Sequence, residues 1–263
     1  ALSETVTGMT TVTVTGMDFA MAADLAVLKN RTNTGGRGTT ATESVQTGYL
    51  DRIYAVDTGG QVWRVDMSDA NKANWSVTKL ASIASTSGTT TASMRKFMFS
   101  PDVVYSSDAN GNYDAVLVGS GDREHPFDQT VGNYFYMFKD RNTTSLTTAT
   151  AATVTTITDS GSNLFDVTNN CLQTASGCDT AAGQTQTTAA ASLLAAKGWK
   201  LQLANTGEKT IATATTSAGT VIFNTNQPKQ DSVSGTSANV GANAGNFCTC
   251  LLYTSDAADD TPC

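Results

Sequence analysis

Residues Asp51 to Asp66 read DRIYAVDTGGQVWRVD, and this stretch decides the predicted fold. Two runs rich in β-branched and aromatic residues flank the turn residues Asp57 to Gly60. Such runs on either side of an Asp/Gly turn are typical of a β-hairpin. The stretch therefore predicts two antiparallel strands joined by a tight turn. On the second strand Arg64 follows Trp63, and the alternation predicts that Arg64 faces outward, where it could stack or pair with Asp66.

Three further segments carry strand patterns. Tyr113 to Lys139 contains YDAVLVGSGD and, after a loop, NYFYMFK, which predicts two more strands. Trp199 to Asn224 contains WKLQL, KTIATAT and TVIFN, which predict three short strands in a meander. Thr10 to Leu28 opens with the alternating TTVTVTG and predicts one more strand.

One helix is predicted at Gln184 to Lys197, QTQTTAAASLLAAK. The segment is rich in Ala and Leu, and Gly198 is a stop signal just after it. Between the strand segments lie stretches rich in Thr, Ser, Gly and Ala, which predict exposed loops. These stretches are residues 32–42, 85–93 and 143–158.

Composition and repetition point to one fold class. Of 263 residues, 45 are Thr, which favours strands over helices and argues against helix-rich classes. A unit of strand, Asp- or Asn-plus-Gly turn and aromatic strand recurs near residues 58, 120 and 207, a repetition typical of β-propellers. The sequence therefore predicts an all-β fold over residues 1–249. We expect a partial β-propeller of about three blade-like antiparallel units, with one short inserted helix and long Thr-rich loops.

The charge balance excludes some partners. The formal net charge is −7, which argues against nucleic acid and anionic membrane surfaces as partners. No apolar run approaches the ~18 residues needed to span a bilayer, so no transmembrane segment is expected.

Among the five cysteines, Cys171 and Cys178 either close a short disulfide loop or are free thiols, and both interpretations stay open.

The C-terminal residues differ from the rest of the chain. Cys250 to Asp260 reads CLLYTSDAADD, which resembles a translated sequencing adapter. An apolar triplet is followed at once by an acidic, small-residue tail without periodicity. We therefore expect residues 250–263 to be a non-native tail with no regular pairing beyond Thr249. An ordinary strand followed by a tail is the alternative.

Several of these motifs carry a family resemblance. The hairpin at residues 51–66, with AVLVGSGDREHPF at 115–127 and NYFYMFKDRN at 133–142, resembles the C-terminal β-propeller of the type IV pilus biogenesis factor and tip adhesin family (PilY/PilC-like). Residues 164–170 and 198–228 match later segments in the same order. The resemblance implies a non-enzymatic bacterial module, extracellular and pilus-associated, that supports pilus assembly and surface attachment. It implies pilin or minor-pilin components and host or abiotic surfaces as partners.

Two alternatives to this function remain. A quinoprotein dehydrogenase is similar at DTGGQVWRVD, although the vicinal cysteines typical of that class are missing from the sequence. A purely structural propeller scaffold is the other alternative.

His125, in the run Asp122 to His125, is the single His and suggests acid–base chemistry. A loop tied by ion pairs is the favoured interpretation, so no enzyme is expected.

One candidate calcium site comes from the resemblance, which implies a calcium loop ahead of DRIY. The matching positions here read Glu43, Val45, Thr47, Gly48 and Asp51. Glu43 and Asp51 remain as possible ligands, but Val45 cannot ligate and Thr47 is a poor replacement for a carboxylate. We therefore expect this loop to be degenerate and free of metal.

A second candidate calcium site comes from the residues themselves. Asp108, Asn110, Asn112 and Asp114 place oxygen-bearing side chains at every second position, which could surround a calcium ion. A polar turn that uses Asn and Gly is the favoured interpretation, because no bidentate Glu ends the loop. Calcium is the one cofactor the sequence suggests.

Overall fold

The computed structural model describes residues 14–29, 50–67, 72–84, 93–228 and 246–253. Within these ranges the chain forms three β-sheets and two α-helices, so the all-β prediction is confirmed. The first sheet contains, in spatial order, β1 (Ala26–Lys29), β2 (Leu50–Val56), β3 (Gln61–Asp66), β4 (Ser76–Ser82) and β8 (Ile157–Thr158).

The second sheet contains, in spatial order, β5 (Asp102–Asp108), β6 (Gly111–Gly119), β7 (Tyr134–Asp140), β10 (Gly198–Gln202) and β9 (Phe165–Asp166). The third contains β11 (Lys209–Thr210), β12 (Thr215–Ser217), β13 (Thr220–Gln227) and β14 (Asn246–Tyr253). The expectation of purely antiparallel units is wrong for the first two sheets. The two-residue strands β8 and β9 pair in parallel at one edge of each.

The predicted DTGG hairpin is confirmed as β2 and β3. The carboxylate of Asp57 accepts hydrogen bonds from the backbone N–H groups of Gly59 at 2.9 Å and Gln61 at 3.0 Å. Gly60 has a φ of +71°, a conformation that a β-carbon disfavours. The turn is therefore encoded locally, by a short acid that binds the backbone and a glycine that accepts positive φ.

Residues of the second sheet are buried on both faces. One face of β6 and β7 packs against the first sheet, and the other packs against the third, where Phe135 stacks on Phe223 with 3.9 Å between ring centroids. This burial explains why AVLV and YFYMF read as continuous apolar runs rather than alternating ones. The first face presents Val116, Val118, Tyr136 and Phe138, and the second presents Ala115, Leu117, Phe135 and Met137.

The predicted meander at Trp199 to Asn224 is wrong, because its strands belong to two sheets. β10 pairs with β7 of the second sheet, whereas β11, β12 and β13 form the third. Trp199 and Phe135 both enter the core between these sheets, and that burial favours pairing with β7 over a local hairpin. The strands β4 and β5 were not predicted.

Two helices lie between the strands. The predicted helix is confirmed as α2 (Gln186–Ala195), which begins after a capping box between Thr185 and Thr188. The helix α1 (Thr148–Ala151) lies in the Thr-rich stretch 143–158 that was predicted to be a loop. In the described part of the chain, neither helix has the length and apolar character needed to cross a membrane.

The expectation of no regular pairing beyond Thr249 is wrong. Strand β14 continues to Tyr253 and pairs antiparallel with β13 along its whole length, from Gln227↔Asn246 to Thr220↔Tyr253. The alternative of an ordinary strand therefore describes residues 250–253. The adapter origin of residues 250–263 and the domain boundary at 249 stay predictions.

Candidate functional site

The candidate calcium residues of the β5–β6 hairpin are divided between different interactions. The carboxylate of Asp108 lies 2.7 Å from Arg141 Nη2 and 3.1 Å from Lys139 Nζ. It also accepts a hydrogen bond from the backbone N–H of Asn110. Burial alone raises the pKa of Asp108, but the hydrogen bonds from Arg141 and Lys139 outweigh it and lower that pKa.

The rest of this hairpin anchors helix α2. Asn110 Nδ2 donates to the carbonyl of Leu194 at 3.2 Å, and Lys139 Nζ donates to the carbonyl of Leu193 at 2.9 Å. Both carbonyls lie in the last turn of the helix, where a cation and donor groups are favourable. Burial lowers the pKa of Lys139, partly offset by Asp108.

Asp114 does not join Asp108. Asp114 is fully buried and pairs with Arg52 of the first sheet, whereas Lys139 and Arg141, the partners of Asp108, lie over the ring of Tyr113, on the other face. Asn112 is exposed at the start of β6. The structure therefore does not bring Asp108, Asn110, Asn112 and Asp114 together as one set of ligands.

The residues of the other candidate calcium loop are only partly described. Glu43 lies outside the described residues, as do Val45, Thr47 and Gly48. Asp51 is buried in β2, and its carbonyl accepts a hydrogen bond from the backbone N–H of Met67. Over the ranges that the structure describes, no three His, Cys, Asp or Glu side chains converge as a metal site.

A buried ionic network that no sequence motif predicted joins the first and second sheets. Arg64 is 1% exposed, so the prediction that it faces outward is wrong. Its guanidinium contacts Asp66 at 2.7 Å and Asp140 at 2.7 Å, and it donates to the carbonyls of Asn142 and Thr144. Asp140 lies on β7 of the neighbouring sheet. The carboxylate of Asp140 therefore gives the Arg64 guanidinium an ion-pair partner, which a buried cation needs.

Tyr54 links the two ion pairs of this network. Its hydroxyl donates to Asp140 at 2.8 Å, and Asp114 lies at 3.5 Å. Burial raises the pKa of Tyr54, and the carboxylate of Asp140 raises it further, so the phenol stays protonated as a donor. Of the two interactions expected for Arg64, the structure shows the pairing with Asp66, and the network as a whole joins the first and second sheets.

Two turns within sheets and one connection between sheets lie together in a region that we call the loop end. It is formed by the β2–β3 turn, residues 95–97 and the β6–β7 loop (residues 120–133). The backbone N–H of Phe97 donates to the carbonyl of Asp57, and that of Gly121 donates to the carbonyl of Lys96. Residues 95–97 are therefore tied to both sheets.

Glycines permit this close approach. A β-carbon on Gly60 would lie 2.6 Å from the carbonyl oxygen of Arg95. A β-carbon on Gly119 or Gly121 would lie within 3 Å of Thr210 or Lys209. Gly60 of DTGG and Gly121 of GSGD are thus positions where a neighbouring backbone comes close.

The β6–β7 loop holds the acidic and His residues that the sequence suggested for catalysis. Asp122 lies 2.6 Å from Lys96 Nζ and 2.9 Å from His125 Nδ1, and it accepts the backbone N–H of Glu124 at 2.9 Å. Burial alone raises the pKa of Asp122, but these hydrogen bonds outweigh it and lower the pKa to about 2. Asp122 is therefore a structural anion at neutral pH, in agreement with the ion-paired interpretation.

The other side of the same loop is anchored by two cations. Lys209 Nζ donates to the carbonyl of Asp128, and Arg95 Nε donates to the carbonyl of Gly132 at 2.7 Å. Arg95 and Lys200 also share the carboxylate of Asp159, at 3.0 and 2.6 Å. Asp159 follows β8 of the first sheet, so this cluster is a second ionic link between the sheets.

Cys171 and Cys178 form a disulfide in the segment between β9 and α2. Of the two interpretations that the sequence left open, the structure selects the disulfide. The bridge closes a short loop, and Gln186 of α2 donates to the carbonyl of Leu172 inside it. The disulfide therefore constrains the segment that leads into α2.

The fold and these contacts define a class: an all-β protein of three sheets, in which the second sheet packs between the first and the third. No protein-family profile matches the chain, and no curated protein matches its sequence. Among solved structures, the chain is similar to the crystal structure of the Pseudomonas aeruginosa PilY1 C-terminal domain, with 16% sequence identity and a TM-score of 0.49. The match covers 80% of this chain and 44% of that one, so this chain spans less than half of its length.

Proposed function

We propose that the chain is a non-enzymatic binding module, part of a β-propeller in a type IV pilus biogenesis and adhesion protein at the bacterial cell surface. The proposal rests on the sequence resemblance of residues 51–66, 115–127 and 133–142. A propeller does not by itself define a function, so the pilus role comes from the resemblance alone.

One structural observation carries the propeller part of the proposal, namely a backbone tie that recurs between successive sheets. The N–H of Phe97, which leads into the second sheet, donates to the carbonyl of Asp57 at 3.2 Å. The N–H of Thr210, in the third sheet, donates to the carbonyl of Ser120 at 3.1 Å. Asp57 follows the second strand of its sheet, and Ser120 follows the second strand of the next. The equivalent positions of the two acceptor carbonyls support repeated, blade-like units.

The contacts of Asp122 support a non-enzymatic role. A general base needs a carboxylate or imidazole that is free to accept a proton near pH 7. Asp122 has a pKa of about 2 and is held by Lys96, His125 and the backbone of Glu124. This carboxylate is therefore unsuited to general-base chemistry near pH 7.

The proposal is tested by co-precipitation of the purified chain with pilin and minor-pilin components, in calcium and in chelator. We expect specific retention of one of these components under at least one condition. Retention of none would favour the purely structural scaffold. A parallel redox-dye assay with added pyrroloquinoline quinone tests the dehydrogenase alternative, and turnover there would overturn the non-enzymatic assignment.

A further inference from the structure

We infer that the β6–β7 loop carries a protein-docking surface formed by Glu124, His125 and Phe127. The inference rests on the proposed function, since it names the surface through which the binding module contacts a protein partner. It follows from three observations: the exposure of these side chains, the rigidity of the loop that carries them, and the incomplete neutralisation of Glu124.

The side chains at the tip of the loop point into solvent. Phe127 is 42% exposed, and the side chains of Glu124 and His125 are 65% and 68% exposed. Phe127 belongs to neither of the two core clusters, so packing of the sheets does not account for an aromatic residue here. Met94, 58% exposed, lies at the same end of the molecule, two residues before the Lys96 that binds Asp122.

The loop beneath these side chains is held on both sides. Lys96 binds Asp122 at one foot, and Lys209 binds the carbonyl of Asp128 at the other. Within the loop, the backbone N–H of Asp128 donates to the carbonyl of His125 at 3.1 Å, and Asp128 accepts from the backbone N–H of Thr130 at 2.9 Å. A surface already fixed in one conformation loses little entropy on binding, which favours recognition by a rigid aromatic anchor.

The charge of Glu124, at the tip of the β6–β7 loop, indicates the chemistry of the complementary surface on the partner. The only cation within 4 Å of Glu124 among the described residues is Lys96, at 3.9 Å, and Lys96 lies much closer to Asp122, at 2.6 Å. Glu124 therefore keeps most of its charge unneutralised, three positions before the exposed ring of Phe127. The complementary surface is a protein pocket that is apolar, to take the ring, and bordered by a Lys or Arg.

The test uses pili sheared from the source bacterium, immobilised on a sensor, and the full chain in solution. We expect Phe127→Ala and Glu124→Lys each to weaken binding about tenfold or more, because anchor residues carry most of an interface's affinity. The Glu124→Lys effect should shrink as salt is raised, because it removes an attraction between exposed charges. Tyr105→Ala, which truncates a 38% exposed aromatic side chain on β5, is the matched control and should bind like the wild type.

The outcomes separate the two proposals. Binding by the wild type that neither loop variant weakens would overturn the docking surface and leave the proposed function standing. Failure of the wild type to bind pili would overturn both. Thermal melting of each variant shows whether weaker binding comes from loss of folding. If Phe127→Ala is unstable, Glu124→Lys still tests the surface, because the Glu124 side chain lies in solvent.

Discussion

Arg52 and Asp114 form an ion pair between the first and second sheets, with 2.5 Å between Arg52 Nη1 and Asp114 Oδ2 and almost no exposure of either side chain. The residues lie on β2 and β6, 62 positions apart in the sequence. Arg52 also donates to the carbonyl of Asn142, at 3.1 Å. The pair is therefore part of the network that joins the two sheets around their apolar core.

Breaking this pair from one side should strongly destabilise the protein. We expect Asp114→Leu to lower the free energy of unfolding by about 3–5 kcal/mol, because it leaves the Arg52 guanidinium buried without its carboxylate. Urea denaturation measures the change. The double variant Arg52→Met/Asp114→Leu should recover much of the loss, and a single variant as stable as the wild type would contradict the network.

Gly60 should not tolerate a side chain. We expect Gly60→Ala to lower the free energy of unfolding by about 2 kcal/mol, since φ is positive and the new β-carbon meets the carbonyl of Arg95. Gly132→Ala is the matched control, because a β-carbon there would have no neighbouring atom within 4 Å and the φ of Gly132 is not positive. Equal effects of the two substitutions in thermal or chemical denaturation would argue against the tie at the loop end.

Asp122 should make stability depend on acid pH. Its pKa of about 2 in the folded protein lies below the ordinary value of 3.8, so its charged form stabilises the fold. This stabilisation, of the order of 2 kcal/mol, is fully present above pH 4 to 5 and is lost as the pH falls towards 2. The stability difference between the wild type and Asp122→Asn should narrow over that range. A difference independent of pH would show that Asp122 acts through something other than its charge.

Calcium should change the thermal stability of the chain little. The carboxylate of Asp108 is already shared by Arg141 and Lys139, and Asp114 points to the other face of its sheet. Differential scanning fluorimetry with calcium and with chelator measures the effect, because a ligand of the folded state raises the melting temperature. A clear rise in calcium that chelator abolishes would reveal a site and revise this view.

Removing the disulfide should cost moderate stability. The double variant Cys171→Ser/Cys178→Ser should lower the free energy of unfolding by about 2 kcal/mol, as loop-closure entropy predicts for a short loop. Thiol titration of the unfolded wild-type protein, with and without reductant, checks that the bridge forms. Two additional free thiols without reductant would contradict it.

Local features could be predicted from the sequence because they depend on neighbours along the chain. The DTGG hairpin, the strands β6 and β7 and the helix α2 all follow from turn residues, apolar runs and capping residues. The strands β4 and β5 were missed, although SVTKLAS and DVVYSSD contain β-branched residues, because short runs with polar interruptions carry a weak local signal. The meander was misassigned because pairing partners of β10 depend on the core and not on the turn after it.

The candidate functional residues show the same difference between features set by neighbours along the chain and features set by distant contacts. The prediction of a loop tied by ion pairs is confirmed at Asp122, which pairs with Lys96. Lys139 and Arg141 form ion pairs with the carboxylate of Asp108, although they lie some 30 positions away in the sequence. The local pattern behind the calcium hypothesis for Asp108 to Asp114 holds no information about these two residues. A signal existed in the turn residues Asn110 and Gly111, since Asp108 and Asp114 lie on opposite sides of this turn and belong to different strands.

The sequence by itself determined where the backbone turns and which segments extend, because Asp57, Gly60 and the Thr185 cap act on atoms within a few residues. Only the tertiary structure decided the surroundings of Arg64, which local alternation placed in solvent. Stacking of the second sheet on the first brings Asp140 to the guanidinium, and an ion can be buried once a carboxylate 76 positions away arrives to pair with it.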